Sequence, residues 1–202
     1  MRKSLLLLGI VALIIIGCGL FGGEDYFPVK VGNIWNYTGY TTYGNDTLYM
    51  VQMKNEITEK TTINNNDAYR QMSYITTYAY MPVPDTFYDT TIHYFVETKD
   101  AVLSYGSPFG QPDTALKLPL KKDKTWTQIY TSGDTVTFKV LIQEDVTVPA
   151  KTYKNAWKIE QRWSGSTTPT YFWYADGVGM IKTYSETGTS KTWFELTSAT
   201  IK

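Results

Sequence analysis

The sequence is poor in the residues that build catalytic and metal centres. Its 202 residues include one cysteine and one histidine. A single cysteine makes neither an internal disulfide nor a thiolate metal cage, and a single histidine makes no multi-histidine metal site. No charge of one sign dominates, because 19 Lys plus Arg balance 19 Asp plus Glu. Nucleic-acid binders carry a basic excess, so that class is excluded. His93 has no Gly-x-Ser-x-Gly elbow to serve, and no Asp-x-Asp calcium loop occurs. Asp85, Asp89 and Glu97 are carboxylates of the kind glycosidases pair, but no spacing selects two of them. Neither a cofactor nor an enzymatic activity is expected. Helical signals are lacking too, since no 15-residue window past the N-terminus keeps a 3.6-residue apolar period.

One long apolar run is present, and it stands at the start. Met1-Arg2-Lys3 is basic, and Leu5 to Ile16 is almost purely apolar. Its length fits the apolar region of a secretory signal, roughly 7–15 residues. The run ends in Ile15-Ile16-Gly17-Cys18, followed by Gly19. This pattern resembles the bacterial lipoprotein signal. The resemblance implies a diacylglycerol on the thiol of Cys18, cleavage before it, and acylation of the new amine. Residues 1–17 then form the signal peptide, 18–27 the lipidated N-terminus and tether, and 28–202 a single β domain. The alternative is an uncleaved anchor helix over residues 5–23, long enough to span a bilayer. Loss of Arg2 and Lys3 leaves 17 basic against 19 acidic residues, a net charge of −2. Such a body has no electrostatic hold on an anionic leaflet, so the lipid must hold it. The resemblance places Gly19, rather than Asp, after the cysteine. That implies the bacterial envelope, at the outer membrane rather than the inner.

The body reads as strands and turns. Tyr is 17 and Trp is 6, residue types that suit a pleated, half-buried surface. Val136, Phe138, Val140 and Ile142 alternate with polar residues, and the alternation runs on through Val146 and Val148. Tyr153, Asn155, Trp157 and Ile159 do the same against Lys154, Lys158 and Glu160. Turn-forming clusters at 44–46, 64–67, 81–85, 107–112, 132–134, 164–166 and 187–189 separate the runs. The spacing predicts an all-β antiparallel meander of roughly ten strands with little helix. Such a sheet curls into a barrel or half-barrel, or folds into two layers.

Four segments carry a second resemblance. They are Tyr26 to Tyr37 with its Gly32-Asn33-Ile34-Trp35-Asn36-Tyr37 core, Leu118 to Trp126, Val146 to Ile159, and Trp173 to Lys182 with its Ala175-Asp176-Gly177-Val178-Gly179 turn. In order and spacing they resemble a group of bacterial lipoproteins and secreted β-proteins that open on a "GN-x-W-x-Y" strand and close on a "YYA-x-GVG-x-(V/I)-K" hairpin. Lys151 departs from the glycine common in that group. The group implies an envelope β-protein and no particular activity. Its shape is distantly like the lipoprotein-carrier half-barrels. Physically, Gly32-Asn33 reads as a tight turn or bulge that puts Trp35 and Tyr37 on one face, and Asp176-Gly177 reads as a hairpin turn.

The aromatic excess is the remaining functional signal. Tyr40, Tyr43, Tyr49, Tyr78, Tyr80, Tyr88 and Tyr94 fall on neighbouring strands. Of these, Tyr78, Tyr80, Tyr88 and Tyr94 are the candidate ligand-binding aromatics, because a rigid tyrosine face suits sugars or protein partners. The bland reading is cross-strand pairing that stabilises a sheet. The expectation is thus a lipid-anchored envelope protein with a binding or structural role. Its partners are the membrane through Cys18 and a lipid, a glycan or an envelope protein. A carrier of acyl chains or lipoproteins predicts an apolar cavity of roughly several hundred Å³. A glycan-binding module predicts three or more exposed coplanar rings.

Overall fold

The computed structural model of the chain describes residues 25–80, 83–130 and 132–202. Cys18 and the apolar run before it lie outside them. Twelve strands follow one another: β1 (Ile34–Tyr43), β2 (Asp46–Ile63), β3 (Asn66–Ala79), β4 (Asp85–Glu97), β5 (Ala101–Tyr105), β6 (Asp113–Lys117), β7 (Thr125–Ile129), β8 (Thr135–Val148), β9 (Lys151–Trp163), β10 (Thr170–Ala175), β11 (Gly179–Thr187) and β12 (Ser190–Thr200). The turn residues named above fall in eight of the eleven connections, the exceptions being β4–β5, β6–β7 and β8–β9; Asn64 and Asn65, for instance, take φ of 50° and 61° in the β2–β3 turn. The count exceeds ten because β5, β6 and β7 are only five residues each.

All twelve strands join one sheet, in the order β6-β5-β4-β3-β2-β1-β12-β11-β10-β9-β8-β7. Every neighbouring pair is antiparallel. The first and last strands are therefore partners in mid-sheet, and the free edges are β6 and β7 from mid-sequence. The sheet curls until these edges approach. There the Trp126 indole N–H donates to Thr114 O at 3.1 Å. The fold is a nearly closed barrel with no helix among the described residues.

Antiparallel order sorts the turns into two ends. One end, the base, carries the β2–β3, β4–β5, β6–β7, β8–β9 and β10–β11 turns and both ends of the described chain. The other, the crown, carries the remaining hairpins. The core crowds toward the base. On β1, Trp35 and Tyr37 are buried while Tyr43 is 61% exposed. On β4, Phe95 and Val96 are buried, and every residue from Asp85 to Thr90 is exposed.

Two expected alternations are broken by bulges. Val136, Phe138, Val140, Val146 and Val148 are buried, but Ile142 is 50% exposed. The β8–β9 register shifts between Val140 and Ile142 and again between Glu144 and Val146. On β9, Asn155 is exposed at φ 52° and Ala156 takes its place in the core between Tyr153 and Ile159. Bulges add an unpaired residue and bend the strand. The bent β8–β9 hairpin reaches β12, where Ala150 N–H donates to Leu196 O at 3.1 Å.

Candidate functional site at the base of the barrel

The four recognisable segments converge on the closures of the barrel. Asn33, fully buried, is the centre of the first. Its side-chain amide N–H donates to Pro28 O at 2.9 Å, and its Oδ1 accepts the Lys202 backbone N–H at 2.9 Å. Its own carbonyl accepts Ile57 N–H, and Gly32 N–H donates to Ile57 O. One side chain thus ties the incoming segment to the last residue. Gly32 sits at φ +87°, and a Cβ there would lie 2.3 Å from Lys202 Nζ.

The fourth segment supplies acceptors for the first. Trp35 Nε1–H donates to Val178 O at 2.6 Å, and the Tyr37 hydroxyl donates to Met180 O at 2.8 Å. Asp25 N–H donates to Asp176 Oδ1 at 2.7 Å, and Gly177 N–H donates to Asp25 O at 2.8 Å. Gly179, at φ +96°, faces Pro28, Tyr26 and the Trp35 indole. Asp25, Tyr26 and Phe27, read in the sequence as the end of a tether, therefore pack into the body. Tyr26 is buried, and Phe27 lies 4.6 Å from the Phe95 ring centroid. The second segment spans the seam between the free edges. There Lys124 Nζ donates to Leu118 O at 2.6 Å and Pro119 O at 2.9 Å. Burial and the nearby Lys117 charge pull the Lys124 ammonium below its usual range.

Beneath the docked segment lies a cavity of about 160 Å³. Phe27 and Pro28 from the segment, Trp35 and Tyr37 from β1, and Tyr174 from β10 form aromatic and apolar walls, with Asn55 and Gln71 as amides. Asn55 Oδ1 is buried and accepts no hydrogen bond from the described residues. A lone acceptor of this kind costs about 1–3 kcal/mol unless something fills it. Burial pushes the Tyr174 phenol up to about 12 and the Tyr37 phenol further, so both remain neutral and able to donate. Three carboxylates lie near one another around Asp25. Burial raises Asp25, which Asp176 raises further, and burial together with the Asp25 charge raises Glu97.

At about 160 Å³ the cavity falls below the roughly 300–1,000 Å³ usual for ligand pockets. Larger hollows of about 330 and 460 Å³ are open grooves over the strands, one of them lined by Asn36, Gln52 and Lys54.

The sequence-selected tyrosines lie elsewhere. Pairing across β3 and β4 sets Tyr78, Tyr80, Tyr88 and Tyr94 on one face, but no two of their rings stack among the described pairs. Tyr78 bonds Gln52 Oε1 at 3.3 Å, Tyr80 bonds the Met50 sulfur at 3.9 Å, and Tyr94 packs against the Ile63–Val96 cluster. Tyr88 is 80% exposed. Among the described residues His93 has a ring contact with Phe95, at 6.4 Å, and no carboxylate partner, so no triad is assembled on it. Among the cavity residues, Asn55 and Gln71 carry no local sequence signal, whereas Trp35 and Tyr37 read as core anchors and Tyr174 falls in the fourth recognisable segment.

Together these features define an antiparallel, barrel-like all-β protein with an aromatic cavity under its N-terminal segment. No family model matches the chain, and no curated protein matches it. Solved structures similar to it include a candidate lipoprotein from Parabacteroides distasonis, with a TM-score of 0.46 and 13% identity over 88% of this chain and 99% of that one. Another is a candidate exported protein with a YmcC-like fold from Bacteroides fragilis, with a TM-score of 0.45 and 10% identity over 88% and 99%. At these scores the likenesses carry no further argument.

Proposed function

We propose that the chain is a lipid-anchored protein of the bacterial envelope, at the outer membrane, and that its role is to bind rather than to catalyse. The anchor reading rests on the signal pattern ending at Cys18. The binding reading rests on the cavity with its unpartnered Asn55 acceptor. The two meet at one place. The seven residues from Cys18 to Glu24 reach at most roughly 25 Å, so an anchor on Cys18 holds the base of the barrel against the membrane. The ligand class that fits is small: an apolar cavity of about 150 Å³ takes one benzene, and here one N–H or O–H donor would satisfy Asn55.

Two experiments test the halves separately. Cys18→Ala should release the protein from membranes and abolish fatty-acid labelling; unchanged fractionation without labelling contradicts the anchor. Phenol should bind in ligand-observed NMR and lose affinity in Asn55→Leu. Absence of phenol binding, or uptake of a fluorescent fatty acid in its place, contradicts the small-ligand reading and favours a carrier.

A further inference from the structure

The wall of the barrel is incomplete along β4. This strand pairs with β3 from Asp85 to Phe95, but with β5 only from Tyr94 to Glu97. Among the described residues nothing pairs with the other side of Asp85–His93. The direction of its backbone groups follows from the neighbouring strands. Tyr80 N–H bonds Leu48 O on β2, so even-numbered β3 residues turn their amides to β2 and odd-numbered ones to β4. Odd β3 residues stand opposite odd β4 residues, as in Ile75 with Asp89 and Thr77 with Phe87. The amides and carbonyls of Thr86, Tyr88, Thr90 and Ile92 therefore face outward. Two of these four N–H groups are already capped, Thr86 by Asp85 Oδ1 and Thr90 by Asp89 Oδ1, each at 2.7 Å. Tyr88 and Ile92 keep free donors.

The edge is both apolar and acidic. Val83 is 72% exposed, Phe87 55%, Tyr88 80% and Ile92 37%. β4 carries Asp85 and Asp89 on this open stretch and Glu97 where it pairs with β5, and no Lys or Arg. Nine ion pairs form elsewhere among the described residues, and none includes these three acids. A long open edge of this kind is a template for strand addition. Charge selects the occupant. A second copy of β4 would bring three more acids and no cation, whereas an extended basic segment would neutralise the edge. We infer that β4 binds an extended, lysine- or arginine-bearing segment of a partner protein as a thirteenth strand, its apolar side chains lying on Tyr88 and Ile92.

The test uses the full chain and a nine-residue probe peptide alternating lysine with valine, beside the same peptide with glutamate for lysine. The lysine peptide should bind and protect the Tyr88 and Ile92 amides from exchange. The glutamate peptide should bind roughly tenfold more weakly or worse, since opposite-charge cross-strand pairs become like-charge ones. Tyr88→Pro removes an outward N–H and no bond to β3, so it should fold normally and lose the peptide. Equal binding by both peptides, protection elsewhere than on β4, or undiminished binding by Tyr88→Pro overturns the inference. A concentration-dependent dimer that Tyr88→Pro dissolves also overturns it, in favour of a second copy as occupant.

Discussion

The base and the crown of this barrel are built from the same strands and differ in how their polar groups are spent. At the base, backbone and side-chain donors are matched across great sequence distances: Asn33 to Lys202, Trp35 to Val178, Asp25 to Asp176. At the crown, hairpin neighbours are tied mainly through backbone and hydroxyl pairs, as Gly44 N–H to Thr189 O and Thr41 to Thr192, and on β4 the Asp85 and Asp89 carboxylates only cap the very next residue. Long-range contacts convert chain entropy into fixed geometry only where apolar burial offsets that entropy. The base has such burial, with Trp35, Tyr37, Ile57, Ile181 and Leu196. The crown shows Tyr43, Phe87 and Tyr88 to solvent. A rigid end and an exposed end are thus assigned by where the core lies.

The largest break in this contrast should come from Trp35. Trp35→Ala removes a buried ring and leaves Val178 O without its donor, at a cost of about 3–5 kcal/mol. The crown counterpart, Trp163→Ala, loses a stacked contact with Tyr130 at 5.4 Å on a 44% exposed ring. It should cost about 1 kcal/mol. Denaturant midpoints of the two variants measure the difference. Asn33→Ala comes next, at roughly 2 kcal/mol, because Pro28 O and the Lys202 N–H both lose their partner in a dry site. It should also expose the C-terminal residues to carboxypeptidase, which Asn36→Ala, lacking that tie, should not. Gly179→Ala is smaller, about 1–2 kcal/mol. Its added Cβ would meet Pro28 at an ordinary 3.6 Å, so backbone conformation, at φ +96°, sets the cost.

Much of the fold was legible in local chemistry. Asn64-Asn65, Gly44-Asn45 and Gly133-Asp134 announce turns because few other residues accept their backbone conformations. Alternation in Val136-Phe138-Val140 announces a strand with one dry face. The bulges were not legible: Ile142 looks like a core position by period two, and only pairing with β9 reveals the extra residue that turns it outward. The role of the recognisable segments was half legible. Trp35 and Tyr37 read correctly as anchors, but their acceptors are backbone carbonyls of Val178 and Met180, more than a hundred residues away, and carbonyls leave no trace in a sequence. The cavity residues and the open β4 edge are likewise products of assembly. The edge exists only because β5 is too short to cover β4.

The smallest predicted effect is one of pH. Asp25 and Glu97 titrate above the ordinary carboxylate range in the folded protein. An acid with a raised folded pKa binds its proton more tightly when folded, so its protonation stabilises the base. That stabilisation is complete below the ordinary carboxylate range and fades as pH rises through the raised values. Proteolysis within the Asp25–Val31 segment should therefore slow modestly as pH falls from 7 to the carboxylate range, and Glu97→Gln should flatten the trend. An unchanged slope in Glu97→Gln would remove Glu97 from the account.

Hydrogen exchange of the full chain tests the contrast most directly. Slow exchange is expected for the Gly32, Ile57 and Gly177 amides, which bond across the base, and fast exchange for Tyr88 and Ile92 on the open edge. Equal protection at both ends, or a protected β4 edge over an exchanging base, would contradict this contrast.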